Sequence, residues 1–473
     1  MKDLIIYNAR LVDRNIDSPG SILVQGGKVA AVYLGEGGVK FLSDRGTKGA
    51  IAKNSATAPE LYDAGGYILM PSFVDLHAHF RDPGYTQKET LETGSQAAAS
   101  GGYGTVVLMA NTNPVVSDGL GASEIRERAD GIGLISAFQA VSLTRNFDGQ
   151  DTSALESLDP AHVPLVTEDG REVASSAVML KAMEICAHRG LLVSCHCEDP
   201  ELALLAKPFR EQALLAASKG NLTQGEFNPA TRFSSLSGSA EFEPVRANLA
   251  SAERLLRLAE NIMTGRNLML AASAGCRVHI AHISTVEAIE SVRKAKAVRA
   301  GFVSCEVTPH HLGLTNLIPA IVNPPLRSEA DRLALIEALI DGTIDAIATD
   351  HAPHTEADKV AGSPGFSGLE TAFAFCHTIL VQTGRLSLSR LSALMSANPA
   401  ALLGIKRGLF QIGFDADFTL IDPSFKWTVD PNAKGYWFSR GKNTALTGEK
   451  LTGIVRVTFK KGKVVFKDSI FCV

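Results

Sequence analysis

The chain lacks any long uninterrupted apolar run and any marked excess of charge of one sign. A membrane-spanning helix needs about 18 or more consecutive apolar residues, and no window of this sequence approaches that length. The 46 Lys and Arg residues nearly balance the 50 Asp and Glu residues, and no basic block of the kind that neutralises phosphates is present. The N-terminus, MKDLIIYNARLVDRN, reaches charged residues too early for a signal peptide. We therefore expect a cytoplasmic protein without a membrane or nucleic-acid partner.

Cysteine is also scarce, with seven residues that are scattered and mostly in apolar surroundings. This odd number favours buried free thiols over a disulfide framework. Cys195 and Cys197 flank His196, which raises the possibility of a thiolate metal site. Because side chains alternate along a strand, both thiols would point away from His196, and we do not expect them to be ligands.

Two kinds of pattern divide the 473 residues, a length that allows one large domain and a smaller one. Short alternating segments without helical period occupy both chain ends, including LIIYNARLV, SILVQGG and KVAAVYLG at the start and ADFTLID, GIVRVTFKKG and KVVF at the end. They predict a small composite β-sandwich domain formed by residues 1–65 and 401–473.

Residues 66–400 show a different pattern, in which eight apolar runs alternate with helical segments. The helical segments, such as ETLETGSQAAAS and ADRLALIEALIDG, have apolar positions near i, i+3 and i+4. Buried strands alternating with helices predict an α/β protein with a closed parallel (β/α)8 TIM-like barrel. The runs are ILMPSFVDLHAH, GTVVLMAN, GLISAFQAV, HVPLVTED, GLLVSCH, RVHIAH, FVSCEVT and IDAIATD.

One segment interrupts this alternation, from about Lys207 to Pro244. It is polar and rich in Gly, Ser and Asn, and it predicts a long loop after the fifth barrel strand. A flexible lid and an inert insertion are equally compatible with the composition.

Polar side chains with metal-binding capacity stand at the ends of the apolar runs. His77 and His79 end the first run, and the strand period of two points both imidazoles the same way, as one metal ion with two nitrogen ligands requires. The carboxyl ends of barrel strands meet at one mouth, the usual active face of this fold. Four histidines and two carboxylates at that mouth can hold two divalent ions, whereas His279 is out of phase with His282 and is not expected to be a ligand. The other run ends carry Asn111, Asp169, His196, His282 and Asp350.

These motifs resemble the amidohydrolase superfamily and, within it, the dihydroorotases of the bacterial class I type. The resemblance extends from about residue 66 to 370, and the flanking β-segments are similar to the composite sandwich domain of the same superfamily. The motifs, in the order of that family, are DLHAHFRDPG, LMANTNP, TEDG, SCHCED, HIAHIST, EVTPHHL, NPPLR and ATDHAPH.

The resemblance implies a pair of metal ions. His77, His79 and Asp350 are implied to hold one ion, and His196 and His282 the other, with Asp169 and a hydroxide as bridges. Many superfamily members use a carboxylated lysine as the bridge, but the only lysines between His79 and His196 are Lys88, in a loop region, and Lys181, in mid-helix. Neither ends a strand, so an aspartate bridge is favoured. Imidazole and carboxylate ligands suit Zn²⁺.

The activity that the resemblance implies is the reversible cyclisation of N-carbamoyl-L-aspartate to L-dihydroorotate with loss of water, in pyrimidine (UMP) biosynthesis. Asp350, beside the bridging hydroxide, would take up and pass on the proton that the ring nitrogen needs. Arg81 is placed to form a paired contact with the substrate carboxylate. Asn111 and His354 are the other expected carboxylate contacts, and Asn323 of NPPLR is expected to contact the ring.

Several alternatives stay open from the sequence. The substrate can instead be another cyclic amide, as in a hydantoinase, dihydropyrimidinase or allantoinase, and a non-catalytic homologue can serve as a partner of aspartate transcarbamoylase. A homodimer is possible. Two motifs depart from the family pattern, since Ala110 replaces the usual proline before Asn111 and the glycine-rich stretch Gly362–Glu370 differs. His310 and His311 are as compatible with packing as with function.

Overall fold

Both ends of the chain contribute to one nine-stranded sheet in the computed structural model, which describes residues 2–35, 59–219, 243–318 and 320–472. The strand Ile68–Pro71 joins the two ends, because it pairs parallel with Leu4–Val12 and antiparallel with Phe418–Thr428. The sheet covers a core of its own that includes Leu11 and Phe418. The other strands are Asp17–Gln25, Lys28–Leu34, Glu60–Asp63, Lys450–Lys460, Lys463–Lys467 and Ile470–Phe471.

The middle of the chain forms the predicted (β/α)8 barrel, and the fold class is confirmed. The strands pair in parallel, and the last closes on the first where His79 N donates to His351 O at 2.7 Å. The third strand position is split into two short pieces around Ala140. In chain order the barrel strands are Phe73–Ala78, Tyr103–Leu108, Ser136–Gln139 with Val141–Ser142, Leu165–Thr167, Leu192–Cys195, Arg277–Ile280, Val303–Val307 and Ala346–Ile347.

Helices follow the strands, and most begin at a side chain that accepts a backbone N–H of the first turn. Thr90, Asp118, Ser175, Thr285 and Ser328 all cap in this way, which satisfies donors that have no partner within the helix. The α-helices are Leu91–Ser100, Gly119–Ile132, Ser176–Arg189, Pro200–Lys219, Glu243–Ala274, Val286–Val298, Pro309–Gly313, Glu329–Ile340, Glu356–Val360, Ala372–Cys376, Leu388–Ser392 and Asn398–Leu402.

The predicted loop from Lys207 to Pro244 is wrong where the structure describes it. Lys207 lies within the helix Pro200–Lys219, and Pro244 lies within the helix Glu243–Ala274. The two helices pack through a small apolar cluster that includes Ala206 and Leu256. The Gly, Ser and Asn residues that motivated the loop prediction fall almost wholly within residues 220–242, outside the described residues, whereas the flanks are rich in good helix formers.

Two further expectations concern the whole chain. The seven cysteines are free thiols, all buried except Cys472, as predicted. Among the helices of the described ranges, none combines the length and apolar character needed to cross a membrane. The division of the chain at residues 65 and 400 stays a prediction.

Two helical glycines differ in what surrounds them and provide a test of the packing around the barrel mouth. A Cβ at Gly94 would lie 2.6 Å from Cγ of Phe80, the residue between His79 and Arg81, whereas a Cβ at Gly131 would meet nothing within 4 Å. We expect Gly131→Ala to stabilise the protein by about 0.5–1 kcal/mol through helix propensity. Gly94→Ala should instead destabilise it by about 1–3 kcal/mol through overpacking. Urea unfolding of both variants measures the difference, and equal effects would contradict this account.

Candidate metal centre

The barrel brings five of the predicted ligands into two overlapping groups. His77, His79 and Asp169 form one group, and Asp169, His196 and His282 form the other. Within each group, one candidate ligand atom from every residue lies within 4.8 Å of the others. Because Asp169 belongs to both groups, its carboxylate stands between two sets of imidazoles.

The two oxygens of Asp169 face different imidazoles. Oδ1 lies 3.2 Å from His77 Nε2 and 3.9 Å from His282 Nε2, and Oδ2 lies 3.5 Å from His79 Nε2. Asp350 joins the first group, since its Oδ1 lies 3.1 Å from His79 Nε2 and 3.6 Å from His77 Nε2. All six side chains proposed from the sequence as ligands therefore lie together, at the carboxyl ends of their strands.

Buried atoms without partners indicate what this cluster can bind. His77 Nε2, Asp169 Oδ1, His196 Nδ1 and His282 Nδ1 are buried, and none has a hydrogen-bond partner in the structure. A buried polar atom that makes no hydrogen bond costs free energy. Imidazole nitrogens and carboxylate oxygens are also the usual ligands of Zn²⁺. The donor set therefore fits a pair of divalent cations.

The two carboxylates are ionised in this environment. Burial alone would raise the pKa of Asp169, but His77, His282 and His79 hold it well below its usual range. Burial likewise opposes ionisation of Asp350, and the bond to His79 with the charge of nearby imidazoles outweighs it, so its pKa is also lowered. Metal ligands must be deprotonated, and both carboxyl groups meet this requirement.

Three residues between the barrel strands and the site have a left-handed backbone conformation. Arg81, His282 and Asp350 have φ values of 58°, 30° and 48°, in the left-handed region that side chains with a Cβ rarely adopt. His282 lies two residues beyond the strand Arg277–Ile280. Such strain concentrates at functional sites, where the surrounding structure enforces it.

Polar residues around the cluster orient its imidazoles. His79 Nδ1 donates to Asn111 Oδ1 at 2.9 Å, so Nε2 is the nitrogen that faces the cluster, where it lies 3.1 Å from Asp350 Oδ1. Asn111 Nδ2 in turn donates to Asp169 Oδ2 at 3.3 Å. His77 Nδ1 lies 3.2 Å from Glu306 Oε1, and the other oxygen of Glu306 lies 3.1 Å from His279 Nε2. His279 thus lies outside both groups.

Glu306 was not identified from the sequence. It stands inside the apolar run FVSCEVT, and a carboxylate within a fully buried strand is a signal that it has a specific partner. Burial would raise its pKa, but His279 and His77 lower it to about 2. Glu306 is therefore an anion, and its contact with His77 Nδ1 fixes the orientation of the ring whose Nε2 faces Asp169.

Arg81 lies close enough to the cluster for the charges of Asp350 and Asp169 to act on it, and His354 lies next to Arg81. Arg81 Nη2 is 3.3 Å from His354 Nε2. His354 Nε2 donates to Pro364 O at 2.9 Å, and Nδ1 accepts from Lys88 Nζ at 3.3 Å. Burial and the charge of Arg81 lower the pKa of His354 to about 3, so the imidazole is neutral.

Two residues that hold His354 were missed in the sequence. One is Lys88, which also pairs with Asp358 at 3.1 Å. The other is Asn443, from the C-terminal region, whose Oδ1 accepts from His354 N at 2.9 Å and whose Nδ2 donates to Ala352 O and Gly365 O, each at 3.0 Å. No sequence motif connects Asn443 with a barrel strand end.

Asn323 lies on a separate connection, after the seventh strand. Its Oδ1 accepts from Arg210 Nη1 at 2.6 Å, and Ile321 O accepts from Gly365 N at 3.1 Å, so this connection adjoins the segment that contacts His354. His311 bonds Thr308 Oγ1 at 2.8 Å and Pro324 O at 3.2 Å, contacts that support packing.

His310 lies against the apolar side of the same region. Its ring centroid is 5.3 Å from that of Phe366, and burial lowers its pKa to about 4. It is therefore a neutral imidazole, and its Nε2 is buried without a hydrogen-bond partner.

Comparison with known proteins agrees with this arrangement. Residues 68–465 match the model of the amidohydrolase family. A protein named dihydroorotase from Clostridium botulinum is 38% identical over 467 residues, covering 98% of this chain and 100% of that protein. A protein of the same name from Aquifex aeolicus is 34% identical over 481 residues, covering 99% and 100%.

A solved structure supports the fold over its whole length. The L-hydantoinase (dihydropyrimidinase) from Arthrobacter aurescens has a TM-score of 0.78 and 25% identity, and the match covers 100% of this chain and 98% of that one. From the family match, and from relatives more than 30% identical over nearly their entire length, the chain belongs to the amidohydrolase family, in the branch that contains its dihydroorotase relatives.

Proposed function

We propose that this protein is a dihydroorotase, a cyclic-amide hydrolase that interconverts N-carbamoyl-L-aspartate and L-dihydroorotate with loss or gain of water. The observation that carries the proposal is the position of Asp169 between two groups of imidazoles, with the cation of Arg81 beside them. The relatives named dihydroorotase support the same assignment. In pyrimidine biosynthesis the reaction would run toward the ring.

We assign the six clustered side chains as ligands of two Zn²⁺ ions, with Asp169 shared. Bound cations of this kind supply an ionised water near neutral pH and polarise the carbonyl that is attacked. The protein's own contribution is to hold ligands in place. Glu306 fixes His77, and Asn111 fixes both His79 and Asp169.

Asp350 is the residue we assign to proton transfer. Ring opening requires a proton on the departing nitrogen, and ring closure requires its removal. Asp350 is buried, ionised and 3.1 Å from His79 Nε2, and its backbone has a left-handed φ of 48°. A carboxylate in this position can accept a proton and return it within one turnover.

Recognition of the substrate carboxylate is assigned to Arg81, His354 and Asn111. Among the residues that the structure describes, Arg81 has no carboxylate within ion-pair distance, and its Nε is buried without a hydrogen-bond partner. Its charge is therefore available for an anionic substrate. A neutral His354 adds no positive charge, and its N–H is donated to Pro364 O, so its contact with the substrate carboxylate requires that the substrate displace this bond.

The second candidate is a hydantoinase or dihydropyrimidinase activity, which the solved structure from Arthrobacter aurescens favours by its fold. The substrates differ in one decisive group, because hydantoin and dihydrouracil have no carboxylate for Arg81. Assay of the same metal-loaded protein with dihydroorotate, hydantoin, dihydrouracil and allantoin separates them. A preference for an uncharged ring would overturn the main proposal.

Homodimer formation, association with aspartate transcarbamoylase and a cytoplasmic location remain proposals from the sequence and the family. A silent homologue that only binds a partner would be expected to lose ligands, and this chain retains all six. Inactivity of protein with full metal content would favour the hypothesis of a silent homologue.

The first prediction for the proposed function concerns the metal content of the protein. We expect about two Zn²⁺ ions per chain, and loss of activity with a chelator that added Zn²⁺ reverses. His282→Ala should retain about one ion, whereas Asp169→Ala should lose binding of both, because Asp169 belongs to both groups. Elemental analysis of dialysed protein measures this, with the exposed His188→Ala as control. Two tightly held ions in Asp169→Ala would contradict the bridge.

A second prediction compares two aspartates at opposite ends of the eighth barrel strand. Asp350→Asn should lower kcat by about 10²–10⁴-fold, since it removes the proton acceptor, with folding intact by circular dichroism. Asp345→Asn, at the other end, removes a bond to Lys296 and should lower stability but leave kcat unchanged. Full activity of Asp350→Asn would refute the assigned role.

A third prediction concerns the substrate carboxylate. Arg81→Gln should raise KM for dihydroorotate by about tenfold or more, because a charge-assisted contact is lost, while kcat falls less. Turnover of dihydrouracil, which has no carboxylate, should change little. Steady-state kinetics with both compounds give the answer, and an equal loss for the two would show that Arg81 has another role.

A further inference from the structure

We infer that Arg210 is a positioning residue that fixes the amide of Asn323 as a hydrogen-bond donor to the substrate. The inference rests on the proposed function, because it specifies how Asn323 acts in that site. Arg210 lies on the helix Pro200–Lys219, a region for which the sequence provided no role.

The chemistry of the guanidinium determines the orientation of the amide. Arg210 Nη1 lies 2.6 Å from Asn323 Oδ1, and Nη2 lies 3.0 Å from Val322 O. A guanidinium has only donors, so the atom of Asn323 that faces it must be the acceptor oxygen. The amide nitrogen, Nδ2, is therefore directed away from Arg210.

Asn323 Nδ2 remains available. It forms no hydrogen bond with any residue in the described ranges, and the side chain is partly exposed. If Asn323 contacts the substrate ring through the nitrogen that faces away from Arg210, it does so by donating to an oxygen. Dihydroorotate offers ring carbonyl oxygens and a carboxylate as acceptors.

The position of Arg210 is well defined. Its charge is largely buried, and burial lowers its pKa to about 10. Among the described residues it has no carboxylate within ion-pair distance, so its two acceptors on Val322 and Asn323 are its anchors. The helix also approaches the neighbouring segment, since a Cβ at Gly362 would lie 2.8 Å from Leu214 Cδ1.

A second basic side chain, Lys359, contacts the same connection. Lys359 Nζ donates to Ile321 O at 3.2 Å, Ser363 O at 2.6 Å and Gly365 O at 3.0 Å. The backbone before Asn323, at Ile321, is thereby tied to the segment that contacts His354. Because Lys359 holds the neighbouring backbone, the main motion left to Asn323 is rotation of its side-chain amide. Arg210 restricts this rotation.

The test uses Asn323→Asp in metal-loaded protein. Aspartate keeps the acceptor for Arg210 and converts the contact to an ion pair, but it replaces the outward donor with an acceptor. We expect KM for dihydroorotate to rise roughly tenfold or more, with kcat less affected and no loss in thermal midpoint. Asn316→Asp adds the same charge at an exposed site on the same connection and should leave KM unchanged.

Arg210 variants test the positioning role. Arg210→Met should raise KM several-fold, and Arg210→Lys, which retains one donor for Oδ1, should recover part of the loss. In the Asn323→Ala background, Arg210→Met should have no further effect on KM, because coupled residues are not additive. Lys207→Met, an exposed cation on the same helix, is the charge control.

A wild-type KM in Asn323→Asp would overturn the inference, as would additive effects of the Arg210 and Asn323→Ala changes. These outcomes are distinct from failure of the proposed function. In that case the wild-type protein would not turn over dihydroorotate at all.

Discussion

The whole arrangement depends on keeping four imidazoles and two carboxylates together in a buried place while several of their ligand atoms stay without hydrogen-bond partners. If these groups formed ordinary hydrogen bonds, no donor electrons would remain for cations. The barrel limits such bonds by fixing the six groups at the ends of five strands, at separations of 3.1–3.9 Å around Asp169 and Asp350. Four buried atoms are left without partners, a cost that bound cations would offset.

The groups stay in place because a further layer of polar residues holds them. Glu306 bonds His77 from behind, and Asp75 bonds Thr349 N at 3.0 Å just before Asp350. Burial, partly opposed by the bonds from Thr349, raises the pKa of Asp75 to about 6. Such outer contacts decide the ring orientation and basicity of metal ligands, and here they come from strands distant in sequence.

The composite sheet region contributes to the site as well as to the fold. The connection between strands Phe418–Thr428 and Lys450–Lys460 reaches the barrel mouth, where Asn443 holds the backbone of His354. Glu89, which accepts from Arg440 N at 3.1 Å, lies 3.4 Å from His351 Nε2. The C-terminal region is thus part of the framework that fixes the loop after the eighth strand, next to the guanidinium of Arg81 that suits an anionic substrate.

The barrel, the composite sheet and the six clustered side chains are predictable from residue order, because period-two alternation and strand-end position follow directly from it. The groups that support these side chains become visible only when the folded chain brings distant segments together. Glu306, Lys88, Arg210 and Asn443 act through contacts between segments far apart in the chain, and of these residues only Glu306, a carboxylate inside an apolar run, has a local signal. The sequence also failed to predict that the helices Pro200–Lys219 and Glu243–Ala274 extend into the segment expected to be a loop. Packing between these two helices stabilises them, and the composition of a segment does not reveal a partner that is distant in the chain.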